Sequence, residues 1–176
     1  MPFHATPIQD LFIFEPQVWG DERGYFFESY SQKTFADAGL HYDFVQDNEA
    51  KSTKGVLRGL HFQKGDAAQA KFVRVTEGEV FDVAVDMREG SPTFGKWYGA
   101  YLSGENRRQM LIPRGFAHGY LVTSETAVFQ YKCDNIYDKS SEGGIRYDDP
   151  KIGVEWPALD IPYQLSEKDK IWPLLP

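Results

Sequence analysis

The 176-residue chain has little of what several common kinds of site are built from. It has one cysteine, Cys133, so no disulfide can close within it and no four-cysteine zinc centre can form. It has only four histidines. No apolar stretch approaches membrane-spanning length, which argues against a membrane role. Basic charge is in deficit, with 19 Lys and Arg against 26 Asp and Glu and a net charge of −7. That balance argues against nucleic acid or an anionic membrane as partner, while leaving room for a local positive pocket. The first residues lack a basic segment followed by an apolar run, so no secretory signal is expected and the expected setting is cytoplasmic. No linker, repeat or low-complexity tract divides the chain, so one domain over residues 1–176 is expected.

What is present points to β-structure. Hydrophobic residues make up 41% and aromatics 15%, an ordinary core fraction with unusually many rings for sheet faces or a pocket wall. Lys71–Val75 and Val80–Asp86 alternate about a turn at Thr76–Glu79 and read as a hairpin. Further strands are expected at Trp97–Leu102, Gln109–Ile112, Gly119–Val122 and Ala127–Cys133. Short strands with regular turn punctuation predict an all-β sandwich or jelly-roll barrel. One helix is expected over about Ser31–Ala38, capped by Ser31 and ended by Gly39, and a short turn is expected from Ser166. The stretch after Asp149, rich in Pro and Trp, is expected to wrap the domain as irregular chain.

Gly90–Lys96 has phosphate-loop spacing up to its lysine, but Trp97 stands where a Ser or Thr would hold magnesium, so it reads as a hairpin turn. There is no dinucleotide fingerprint and no nucleophile elbow. Two histidines fall in turn-flanked segments, Val56–Gln63 with His61 and Ile112–Tyr120 with His118, each with an arginine beside it. Histidine titrates nearest neutrality and arginine suits phosphate, so a proton-transfer site next to an anion site is the first hypothesis. A cupin metal centre would need a second histidine where Gln63 stands. Gln63 would be a weak oxygen ligand, so no metal is expected.

Single residues keep two readings. His61 reads as a satisfied structural histidine or as a base. Tyr131 reads as a buried phenol or as a general acid. Lys71 snorkels to solvent or turns inward to steady an oxyanion. Asp82 and Asp86 share a face that is solvated or supplies a carboxylate to a histidine. Asp169 is explained by a capping box alone. Arg58 and His61 are three apart, so a regular strand puts them on opposite faces. A bulge at Gly59, or service to a partner subunit's site, would reconcile them.

Four segments, Asp21–Glu28, Arg58–Gln63, Ile112–Gly119 and Gly143–Pro150, resemble the dTDP-4-dehydrorhamnose 3,5-epimerases, with similarity from about Asp10 to Lys170. The resemblance implies a cupin-like jelly-roll barrel with a few short helices, a homodimer, no metal and no cofactor. It implies epimerisation at C3 and C5 of dTDP-4-dehydro-6-deoxy-D-glucose in the making of activated L-rhamnose. It casts His61 as base, Asp169 as its carboxylate, Tyr131 as the acid of the opposite face, and Lys71 as the cation near the keto oxygen. His118 then contacts substrate with Asp82 orienting it. Arg23, Phe26, Glu28, Gln46, Asn48 and Arg58 become nucleotide-sugar contacts, several reaching across the dimer. Tyr137 becomes the thymine stack, and Glu142 and Lys168 further binding positions. One departure is the loop Lys64–Ala68, where the family carries a proline-bearing stretch. The competing readings are a single-centre epimerase or ketoisomerase, a non-catalytic sugar-nucleotide-binding jelly roll, and a metal-dependent cupin.

Overall fold

A computed structural model describes residues 2–175. Its strands are β1 (Phe3–Ala5), β2 (Phe12–Phe14), β3 (Val18–Asp21), β4 (Gly24–Phe27), β5 (Gln46–Thr53), β6 (Leu57–Gln63), β7 (Lys71–Glu77), β8 (Glu79–Asp86), β9 (Trp97–Ser103), β10 (Gln109–Ile112), β11 (Phe116–Val122), β12 (Thr126–Cys133) and β13 (Glu142–Gly144). Two short helices, α1 (Gln32–Asp37) and α2 (Glu167–Ile171), complete the elements with two single 3-10 turns, one of them at Gly65–Ala67 in the departing loop.

Two antiparallel sheets face each other. One has the order β1-β2-β10-β7-β12-β5 and the other β13-β6-β11-β8-β9. Alternation decides which residues enter the space between them. Val73 and Val75 of β7, Val80 and Ala84 of β8, Tyr120 and Val122 of β11 and Phe129 of β12 form the inter-sheet core. The opposite parity of β8, Val83 and Val85, packs outward under Ile145, Ile152 and Trp156 of the irregular C-terminal segment. On the other sheet Phe72 and Leu111 face outward under Phe35 of α1. The result is the expected cupin-like jelly roll, each sheet covered on its outer face by non-strand chain.

Local chemistry explains the turns. Gly78 links β7 and β8 at φ +74°, and a Cβ there would meet the Thr126 carbonyl at 1.9 Å, so the hairpin turn demands glycine. Ser31 caps α1 by accepting the Thr34 N–H, and Gly39, at φ +75°, donates to Ala36 O. Ser91 and Thr93 of the phosphate-loop look-alike donate to the buried Asp86 carboxylate at 2.6 and 2.7 Å. That segment is a turn tied to β8, and its hydroxyls are spent on the protein.

The longest strand that sequence patterning does not show is β5. Its inward residues are Gln46, Asn48, Ala50 and Ser52, paired in register with Cys133, Tyr131, Phe129 and Ala127 of β12. It lacks hydrophobic alternation because its inner face lines a polar region of the barrel.

Candidate active site

The polar region is assembled from six strands, β5, β6, β7, β8, β11 and β12, and one helix, α2. His61 on β6 and His118 on β11 are register partners. Arg58 pairs with Tyr120, so β6 carries two residues, Gly59 and Leu60, opposite Gly119 alone. This bulge moves Arg58 onto the face of His61 and settles the parity conflict within one chain. Gly59 sits at φ +134°, and a Cβ on it would stand 2.5 Å from the Gly119 Cα, so the bulge needs this glycine.

Each histidine has its own carboxylate. The His61 Nε2 meets Asp169 Oδ1, brought from α2, 108 residues away in sequence. Ser166 caps that helix by accepting the Asp169 N–H, so capping and delivery of the carboxylate coexist. Asp169 is buried while the His61 side chain is 33% exposed, which puts the histidine at the mouth and the carboxylate behind it. Burial raises the Asp169 carboxyl, but the bonds to His61 and Ser166 and the charges of His61 and Lys168 outweigh it and hold it below the usual carboxylate range. The deeper His118 donates through Nε2 to Asp82 Oδ2 at 2.9 Å, and Asp82 is fully buried.

The depressed Asp169 value makes a stability prediction. A group whose folded pKa lies below its unfolded one adds stability above the unfolded value and loses it as pH falls through the folded value. Asp169→Asn is therefore expected to destabilise by about 1–2 kcal/mol at pH 7. The difference from the parent should shrink below about pH 4, in urea titrations run at both pH values. An undiminished gap at pH 3 would contradict it.

The opposite wall comes from the six-stranded sheet. Tyr131, Cys133 and Lys71 share the inner face, with Cys133 and Lys71 in register. Burial, with Cys133 and Tyr120 nearby, pushes the Tyr131 phenol up to about 12 against the opposing pull of Arg58. Burial likewise pushes the Cys133 thiol up to about 11. Burial lowers the Lys71 ammonium from the ordinary lysine value, with Cys133 and Asp82 working the other way, and its Nζ lies 5.9 Å from the Tyr131 ring centroid. Arg58 is held by Ser52 Oγ, to which its NH2 group donates at 3.1 Å.

The rim residues fall into two groups. Gln46 donates to Asn48 at 3.0 Å and accepts from the Tyr137 N–H at 3.2 Å. Lys168 donates to Glu142 at 2.9 Å, and Tyr137 stands beside Glu142, so these five form one edge of the mouth. Arg23, Phe26 and Glu28 do not join them. Arg23 sits at the tip of the separate β3–β4 hairpin, donating to Asp21 at 2.5 Å, Phe26 is exposed, and Glu28 accepts from Thr34 at 2.9 Å. Residues near the site that sequence reasoning passed over are Ser52, Tyr120 and Trp172. Trp172 packs over Gly144, which pairs with His61, and lies edge-on to the His61 ring at 6.2 Å. Among the described residues no group of three or more His, Cys, Asp or Glu side chains could hold a metal ion.

A jelly roll whose interior carries two histidine–carboxylate pairs facing a protonated phenol and a lysine is a cupin-like barrel with an acid–base interior. The sequence profile of dTDP-4-dehydrorhamnose 3,5-epimerase matches residues 5–176, and the chain belongs to that family. It is 58% identical over 171 residues to the dTDP-4-dehydrorhamnose 3,5-epimerase of Salmonella typhimurium, covering 97% of this chain and 93% of the relative. The crystal structure of the Elizabethkingia anophelis dTDP-4-dehydrorhamnose 3,5-epimerase is similar at TM-score 0.94 and 55% identity, over 98% of this chain and 94% of that one. The Legionella pneumophila dTDP-6-deoxy-D-glucose-3,5-epimerase, solved with dTDP-4-keto-L-rhamnose, is similar at TM-score 0.94 and 51% identity over 98% and 91%.

Proposed function

We propose that this enzyme, an isomerase, inverts C3 and C5 of dTDP-4-dehydro-6-deoxy-D-glucose to give dTDP-4-dehydro-L-rhamnose, by proton transfer alone. The observations that support the mechanism are a histidine–carboxylate pair on one sheet and a phenol held at about 12 on the sheet that faces it.

The C4 ketone acidifies the hydrogens on both neighbouring carbons. In the chair form of the glucose-configured ring both hydrogens are axial on the same face, so one base can serve both centres. His61 is that base. Asp169 fixes its ring through Nε2 and steadies the imidazolium that forms. Removal of either hydrogen leaves an enolate with its charge on the C4 oxygen. Lys71 supplies positive charge and a hydrogen-bond donor there, and His118, oriented by Asp82, contacts the substrate. Inversion requires the proton to return from the other face. Tyr131 suits that role, because a phenol held at about 12 keeps its proton throughout the neutral range. No step changes an oxidation state, so the reaction itself asks for no nicotinamide.

Binding falls to the rim. Arg58 takes the diphosphate, Gln46, Asn48, Glu142 and Lys168 take the sugar nucleotide's polar groups, and Tyr137 stacks on thymine. Arg23, Phe26 and Glu28 serve a second copy. The β3–β4 hairpin exposes Trp19, Tyr25 and Phe26 at 55, 59 and 70%, an apolar surface that a homodimer would cover, and dimerisation carries Arg23 to the partner's mouth.

The test is product stereochemistry. Incubation with dTDP-4-dehydro-6-deoxy-D-glucose should give the L-lyxo sugar by proton NMR, and sedimentation equilibrium should give twice the chain mass. A product inverted at one carbon, or a ketone moved to C3, would replace this reading with the single-centre or ketoisomerase one. Lys71→Met should lower kcat about 100-fold, as expected for losing one preorganised donor to an oxyanion, with the nucleotide's Kd little changed. A loss confined to binding would remove Lys71 from the keto oxygen.

A further inference from the structure

Two buried polar atoms in the barrel have no hydrogen-bond partner among the described residues and are cross-strand neighbours. One is Asp82 Oδ1, on a residue with no exposure, and the other is the Tyr120 hydroxyl, on a residue 5% exposed. Asp82 and Tyr120 are register partners on β8 and β11, both turned inward. Directly opposed residues of an antiparallel pair have Cβ atoms about 4.5–5.5 Å apart, and the Asp82 carboxylate acts on the Tyr120 phenol by its charge. A carboxylate oxygen only accepts, whereas a phenol also donates. Neither atom reaches the other, so a molecule able to donate to one and accept from the other satisfies both. Ser52 lies beside the Tyr120 hydroxyl with its oxygen accepting from the Arg58 guanidinium at 3.1 and 3.3 Å; its own O–H can donate to the phenol oxygen, which leaves the phenol's O–H without an acceptor and Asp82 Oδ1 without a donor.

We propose that Asp82 and Tyr120 bind a buried water, and that this water makes Tyr120 a positioning residue for His118. The assignment rests on the epimerase reading, because it gives His118 its task. Leaving buried polar groups unmade is costly, and native interiors routinely fill such gaps with ordered water. The consequence runs along one line of contacts. Asp82 Oδ2 holds His118 Nε2 at 2.9 Å. With Oδ1 taken by the water, the carboxylate is bonded on both oxygens and cannot rotate away. The imidazole, donating through Nε2, is then fixed in one orientation, with Nδ1 as its free nitrogen toward the substrate. Phe129, stacked on Tyr120 at 4.1 Å and 14°, holds the phenol ring whether or not the hydroxyl is present. The hydroxyl's contribution is therefore separable from the ring's.

Tyr120→Phe is the test, since the ring and its stack on Phe129 remain. The expected result is a fall in kcat on the order of tenfold with KM changed less than twofold, the signature of a misaligned group in the transition state. A crystal structure of the parent at atomic resolution should show a water within about 3.2 Å of both Asp82 Oδ1 and the Tyr120 oxygen, absent in the variant. A kcat within twofold of the parent, or a loss carried wholly by KM, would overturn the positioning role. Parent density showing no water, with Tyr120 bonded to Ser52 instead, would overturn the site. The density does not depend on activity, so failure of the epimerase reading, seen as an inactive parent, is told apart from failure of this one.

Discussion

His61→Ala is expected to lower turnover by about 1,000-fold or more while leaving binding of dTDP intact, because it deletes the one histidine among the described residues that is placed at the mouth with a buried carboxylate behind it. General bases contribute roughly 100- to 10,000-fold, and a base that serves both carbons puts the whole of that factor into each inversion. Exchange of the C3 and C5 hydrogens with solvent should fall together. If one carbon kept its exchange, a second base would exist. His118, the register partner of His61, is the nearest candidate. Isothermal titration with dTDP, alongside deuterium exchange followed by NMR, separates loss of chemistry from loss of binding.

Tyr131→Phe is expected to uncouple exchange from inversion. The base still removes the hydrogen and Lys71 still meets the enolate, but nothing donates from the opposite face. Protons should return from the face of His61, giving deuterium incorporation with retained D-configuration. Inversion should slow by about 100- to 1,000-fold. Removing one phenol oxygen from a partly buried tyrosine leaves the ring's packing against Phe129 in place, 6.0 Å between centroids, so folding is not at issue. Inversion at the parental rate would show that another group, or water, is the acid.

Much of the fold was legible because its strands obey period two. The β7–β8 hairpin, β9, β10 and β12 fall close to where alternation places them, and α1 has the cap and stop that Ser31 and Gly39 announce. β11 begins three residues earlier than expected, at Phe116, because it is buried along its whole length and its alternation is masked. β5 was illegible for the reason that makes it useful, since a strand that lines a polar cavity has no apolar stripe to read.

The site was legible in part. Histidines beside arginines suggested acid–base chemistry near an anion. Asp169 could not be joined to His61 by any local signal, because the contact is made by a C-terminal helix crossing to β6, and a capping box explains the residue in isolation. Family resemblance alone made that pairing. The conflict between Arg58 and His61 was real on a regular strand, and the bulge at Gly59 resolves it without a partner subunit. The resemblance put Asp82 behind His118, but Tyr120, the register partner of Asp82, was missed because it reads as an ordinary core aromatic beside Leu121 and Val122.

The central claim is that one base works at two carbons and one acid answers from the other face. Its most direct test is turnover of dTDP-4-dehydro-6-deoxy-D-glucose in D2O, read by proton NMR and mass spectrometry. The product should have L-lyxo configuration and carry two deuterons, one at C3 and one at C5, with both proton signals lost. A product with one deuteron, or one inverted and carrying none, would contradict the claim.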